Sequence, residues 1–219
     1  MRAVALALLF LLAACQEEPS KFLTRQALAS VGRIELVIVL PLRGTGITLA
    51  PFNHAFQSEM DRRRQLAAQV DWTMRSVDFR SSLAAAVTQR LATLRSVSVA
   101  FERRVITVPS TAGMNEAFDR SMADAVLFLD VIRYIDGSGL TLKGEAQLFP
   151  RADRLKRFRP QPDESNPTAP GNAIFRQTLH RVVPAATIDY GQPGQLEAAI
   201  AEALDNLALQ LATLLDHGT

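Results

Sequence analysis

The chain has 219 residues, 48% apolar and 21% charged, which suits a single folded domain and excludes a disordered one. Its 24 Lys and Arg against 22 Asp and Glu leave a net charge of +2, too small to make nucleic acid an expected partner. The single Cys excludes an internal disulfide framework and a Cys-cluster metal site, and a chain of this size needs neither to hold a core.

In chain order, Arg2 supplies one positive charge and residues 3–14 form an uncharged apolar run ending at Cys15. Twelve helical residues span about 18 Å, well short of the roughly 30 Å bilayer core. A basic start and a short apolar run are signal-peptide anatomy, not a membrane span. The sequence Leu12-Ala13-Ala14-Cys15 resembles the lipobox of bacterial lipoproteins. That resemblance implies cleavage before Cys15, diacylglycerol on its thiol and a further acyl chain on its amino group. Two chains anchor stably in a membrane. Gln16 stands where an Asp would retain such a protein in the inner membrane, so the resemblance implies the periplasmic face of the outer membrane. The expected division is a signal peptide (1–14), a lipidated N-terminus and tether (15–32) and one periplasmic α/β domain (33–219).

Residues 33–40 are rich in β-branched side chains and stop at Pro41, which predicts a buried strand. Residues 42–53 contain Gly44, Gly46 and Pro51 and read as a loop. Helical spacing runs from Phe56 to Val77, and Asp78 reads as the N-cap of a second helix carrying Leu83, Val87, Leu91 and Leu94 on one side. A strand over 97–101, extended over 104–108, and a short helix over 115–122 follow. Residues 125–135 predict a second strong strand, and Asp136-Gly137-Ser138-Gly139 a hairpin turn. In residues 140–149, Leu140, Leu142, Ala146 and Leu148 alternate with Thr141, Lys143, Glu145 and Gln147, the pattern of a half-solvated antiparallel strand. Residues 160–171 hold four Pro and predict a mobile loop, 173–183 a third antiparallel strand, and 196–215 an amphipathic helix with Gly218 just past its end. The order β-α-α-β-α-β-β-β-α predicts an α/β (α+β) fold, one sheet of about five strands with helices mainly on one face.

Candidate chemistry is sparse. His54, His180 and His217 fall in a loop, a strand and the tail, without metal-ligand spacing, and no metal or other cofactor is expected. Gly44-Thr45-Gly46 lacks the Lys of a phosphate loop and the third Gly of a dinucleotide finger, so it reads as a plain turn. Asp119, Asp124 and Asp130 do not form a carboxylate pair by sequence. An enzyme would need two of His54, His180, Asp130 and Glu145 within hydrogen-bond reach of each other in a cleft. Arg62-Arg63-Arg64 lies on the first long helix. Arg151, Arg154, Lys156, Arg157 and Arg159 surround Leu155 and Phe158. This second cluster reads first as a solvated extension of the hairpin, and otherwise as a cationic tip that contacts an anionic envelope component or partner.

The lipobox, the strand Ile34-Glu35-Leu36-Val37-Ile38-Val39-Leu40-Pro41, the strand at Ala123-Asp124-Ala125-Val126-Leu127, a long hairpin and a terminal helix resemble small periplasmic accessory lipoproteins of Gram-negative envelopes. These include auxiliary lipoproteins of ABC-type lipid transporters, penicillin-binding-protein activators and the curli-secretion lipoprotein. The resemblance implies an α/β body that acts by binding an envelope protein partner, not by catalysis. Cys15 is the one residue to which it assigns a role. A wall or lipid hydrolase, and a structural lipoprotein without a specific partner, are the alternatives.

Overall fold

The computed structural model describes residues 21–39, 45–47, 73, 76–93, 100–105, 111–136, 139–189, 192 and 194–216. The elements are α1 (Arg25–Ser30), β1 (Arg33–Val39), β2 (Thr45–Ile47), α2 (Phe79–Leu91), β3 (Ala100–Val105), α3 (Thr111–Arg120), β4 (Ala125–Asp136), β5 (Gly139–Pro150), α4 (Asp153–Lys156), β6 (Phe175–Pro184) and α5 (Gln195–Asp216). They build the expected α/β fold around one sheet in the order β3-β1-β4-β5-β6, with β2 beside β4.

The first three strands of that order run parallel, and β4, β5 and β6 then form an antiparallel meander. The expected βαβ crossover and hairpin-rich second half are both present. The crossover from β1 to β3 and the return past β1 to β4 run in opposite directions, and right-handed crossovers that reverse direction place their helices on opposite faces. On one face, α2 and α5 pack Leu83, Val87, Leu91, Leu204, Leu207 and Leu211 against Leu36, Leu127, Leu129, Leu142 and Leu148. On the other, α3 brings Ala117 and Phe118 onto Val37, Val39, Val126, Phe128 and Phe149. Among the described residues the helices thus lie mainly on one face, with α3 on one end of the second.

Local signals account for much of this. Asp78 caps α2, its carboxylate accepting a hydrogen bond from the Ser81 N–H at 3.0 Å. The stripe read over 196–215 is buried in α5, apart from half-buried Leu214, which packs on the same core. Length and apolar composition alone would let α5 cross a membrane, but half of its apolar window is buried in the body. Gly139, at φ +130°, opens β5, and a Cβ there would strike the Val183 carbonyl and the Ala185 N–H.

Four expectations differ from the structure. The stretch read as tether up to residue 32 is packed from Lys21 onward. Thr24 caps α1 by accepting from the Ala27 N–H, and Leu23, Ala27, Leu28 and Val31 are buried in the main core. Thr45–Ile47, read as part of a loop, forms β2, which pairs with Arg133–Ile135 just beyond the point where β1 leaves β4. The Pro-rich stretch 160–171 is an ordered loop. Buried Asn172 accepts from the Asp163 N–H at 2.9 Å and donates to the carbonyls of Asp163 and Asn166 at 2.7 and 2.8 Å, so one side chain satisfies the loop's inward backbone groups. Thr141, placed on the solvated face of β5, is buried. The helix read over 56–77 lies outside the described residues except at its end, as do Leu40, Leu94, 97–99, 106–108 and the turn residues Gly137 and Ser138.

Candidate functional site: the open half of the sheet

Past the end that α3 covers, the same face is exposed at Asp130 and Ile132 of β4, Lys143 of β5 and Thr178 of β6. Register brings the residues there together. Asp130 lies opposite Glu145, Ile132 opposite Lys143, and Glu145 opposite Thr178. With Gly144 and Arg176 these residues line a depression with a cavity volume of about 310 Å³. Gly144 permits its floor, since a Cβ there would run into the Asp130 carbonyl and force β5 away from β4.

The charges inside are unequally matched. Arg176 Nε donates to Glu145 Oε1 in an ion pair. No hydrogen bond or ion pair to another described residue joins the side chains of Asp130 and Lys143. Burial pushes the Asp130 carboxyl above its ordinary range. Burial also pushes Glu145 up, the Asp130 charge opposite adds to this, and a hydrogen bond from Gln147 opposes it. Two carboxyls, an ammonium and a guanidinium with a rim of Ile132 and Thr178 can take up a polar or zwitterionic surface by hydrogen bonding. Among the described residues no cluster of three His, Cys, Asp or Glu could hold a metal ion.

The predicted site residues fare differently. Cys15, His54, His217 and Arg62 to Arg64 lie outside the described residues. His180 is exposed on β6 beside the depression, and its backbone N–H donates to Gln210 Oε1 at 3.3 Å. Asp130 and Glu145 do share the cleft, which sequence could not show because their pairing depends on the β4–β5 register.

The basic cluster does not project as a tip. Leu155 is fully buried and half-buried Phe158 packs on the core, pinning the segment to the body. Arg154 pairs with Asp124 at 2.6 Å and donates to the Ser30 carbonyl at 2.9 Å. Lys156 pairs with Asp153 at 2.7 Å and Arg159 with Glu164 at 2.5 Å. Arg151 donates to the Asp119 carbonyl at 3.2 Å, and its guanidinium lies 5.8 Å from the Phe118 ring centre. Exposed Arg157 stacks over Phe158 at 4.8 Å. The pairing acids Asp124 and Glu164 are distant in sequence or sit in the ordered loop, so the run of cations looks freer in sequence than it is.

No protein-family model matches the chain, and no curated protein matches it. Solved structures give remote likenesses. One is the crystal structure of an uncharacterised protein, 11% identical, covering 89% of this chain and 95% of that one at a TM-score of 0.38. A PelC dodecamer from Paraburkholderia phytofirmans is 9% identical, with 90% and 94% covered at a TM-score of 0.34. The lipoprotein GNA1162 from Neisseria meningitidis is 14% identical, with 78% and 96% covered at a TM-score of 0.25. At such scores the likenesses carry no argument about what this chain does.

Proposed function

We propose that the chain is a bacterial envelope lipoprotein, held by lipid on Cys15, whose α/β body is a non-catalytic binding component of an envelope assembly or transport system. The observation that carries this reading is the lipobox Leu12-Ala13-Ala14-Cys15, which places the chain's one Cys at the end of its one uncharged apolar leader. The exposed sheet face supports a binding role, because it offers charged groups of both signs beside exposed Ile132. Gln16 favours the outer membrane.

Mass spectrometry of the membrane form tests the anchor: the expected N-terminus is a diacylated or triacylated Cys15, and Cys15→Ala should abolish it. An unmodified Cys15 or cleavage elsewhere would sink the reading. A photo-crosslinker at Thr178, beside the depression, should capture an envelope protein in intact cells, whereas one at exposed Gln89 on α2 should not.

The shared cleft of Asp130 and Glu145 favours one second reading, a hydrolase in which these two carboxyls act as general acid and base. That reading requires Asp130→Asn to abolish release of wall or lipid fragments by the purified protein. The binding reading expects no such release from either form.

A further inference from the structure

We infer that the end of the sheet from which the chain leaves toward Cys15 lies against the bilayer, with Phe22 and Met122 at the membrane interface. This rests on the lipid anchor proposed above and assigns the body's orientation on it.

The first argument is reach. Lys21 is fixed to β6, its N–H donating to the Arg176 carbonyl at 2.7 Å and its carbonyl accepting from the Arg176 N–H at 2.8 Å. Six residue steps separate it from Cys15, which at full extension span at most about 22 Å. The twelve-residue strands β4 and β5 extend over about 40 Å. A tether of half that length holds the near end at the membrane surface and keeps the far end from taking its place.

The second argument is what the near end carries. It holds the starts of β1, β4 and β6 and the end of β5. Four large apolar side chains stand exposed among the described residues: Phe22, Met122, Ile132 and Leu209. Phe22, 48% exposed, follows Lys21 directly, and Met122, 81% exposed, lies three residues before β4. Two of these four described side chains thus mark the end nearest the anchor. Exposed Arg25 on α1, and Arg157 just past the α4 turn that α1 packs against, add long basic side chains of the kind that snorkel at an interface. Glu17 and Glu18 in the tether offset these two charges, so contact is set by position and apolar surface and not by net charge.

The depression lies on the flat of the sheet, past the part that α3 covers, midway along β4 and β5 and at the start of β6. With the end of the sheet on the bilayer, this face opens sideways and not onto lipid.

The test uses full-length acylated protein in phosphatidylcholine vesicles and in vesicles containing phosphatidylglycerol. Acylation consumes the Cys15 thiol, so Phe22→Cys, Met122→Cys or Ala186→Cys each gives one free thiol for an environment-sensitive fluorophore. Ala186 is exposed in the turn after β6, at the opposite end. Nitroxide-bearing lipid should quench the label at 22 and at 122 several-fold more than at 186, in both kinds of vesicle. Equal, weak quenching at all three positions would overturn the orientation while leaving the anchor intact. A second reactive thiol would show that Cys15 is not acylated, overturning the anchor and this inference with it. Shielding of 22 and 122 in cells but not in vesicles would assign that end to a protein and overturn the bilayer contact.

Discussion

The Asp124 carboxylate holds three segments that are far apart in sequence. Its Oδ2 accepts from the N–H groups of Gly32 and Arg33 at 2.9 and 2.8 Å and pairs with Arg154 at 2.6 Å. Its own carbonyl accepts from the N–H groups of Arg151 and Ala152. Hydrogen bonds to a charged group contribute about 1.5–3 kcal/mol each, and partial exposure lowers that. Asp124→Ala should therefore cost about 2–4 kcal/mol of stability, read as a lower urea midpoint, and Arg154→Gln should cost less because both backbone bonds survive. Lys21 gives a second expectation. Burial lowers its pKa from 10.5 to about 8, while its ammonium donates to the Ala173 carbonyl at 2.9 Å. Below about 8 both folded and unfolded states hold the proton, and the full cost of burying the charge is present. Between about 8 and 10.5 the unfolded state binds more protons, so stability rises with pH there. Denaturation from pH 7.5 to 10 should show this rise in the parent chain relative to Lys21→Met, in which the Lys21 share of it is gone. Parallel curves would show that Lys21 keeps its ordinary pKa.

At the scale of elements, α5 offers the sharpest contrast. Leu211 is fully buried under the sheet, and Leu209, two residues earlier, is 45% exposed. Leu211→Ala should cost about 2–5 kcal/mol, and Leu209→Ala should stay within about 0.5 kcal/mol. Thermal melts of the two variants check this, and equal losses would mean that α5 is buried all round. Such elements were legible in sequence because their signals are local: the 3.6-residue stripe of α5, the β-branched run of β1, the alternation of β5 and the Asp78 cap of α2. Those that were missed depend on distant partners. The three residues of β2, with a Gly between Thr45 and Ile47, become a strand only because β4 offers an edge. The helix α1 has six residues, too few to show a period, and its apolar side chains matter because the sheet receives them. The depression was least legible of all. Asp130, Glu145 and Arg176 are far apart along the chain, and neighbouring strands bring them together by register.

For the whole molecule, these contacts move the boundary of the folded body from Arg33 back to Lys21. Leu23, Leu28 and Val31 are 0%, 5% and 3% exposed. Fully burying such side chains contributes about 1.5–3 kcal/mol each, so the three supply about 5–9 kcal/mol by the same measure. The entire stability of a domain is only about 5–15 kcal/mol. Losing this segment also strips the Lys21 pairing from the edge of β6 and removes the Gly32 bond to Asp124. An uncovered strand edge is in turn a template for aggregation. A chain beginning at Lys21 should therefore unfold in one cooperative transition, within about 1 kcal/mol of the full-length protein. A chain beginning at Arg33 should aggregate or melt without a cooperative transition, as read by circular dichroism and sedimentation. If the shorter chain instead unfolds as cooperatively as the longer one, the body begins at Arg33, and residues 21–32 act as the tether that their sequence first indicated.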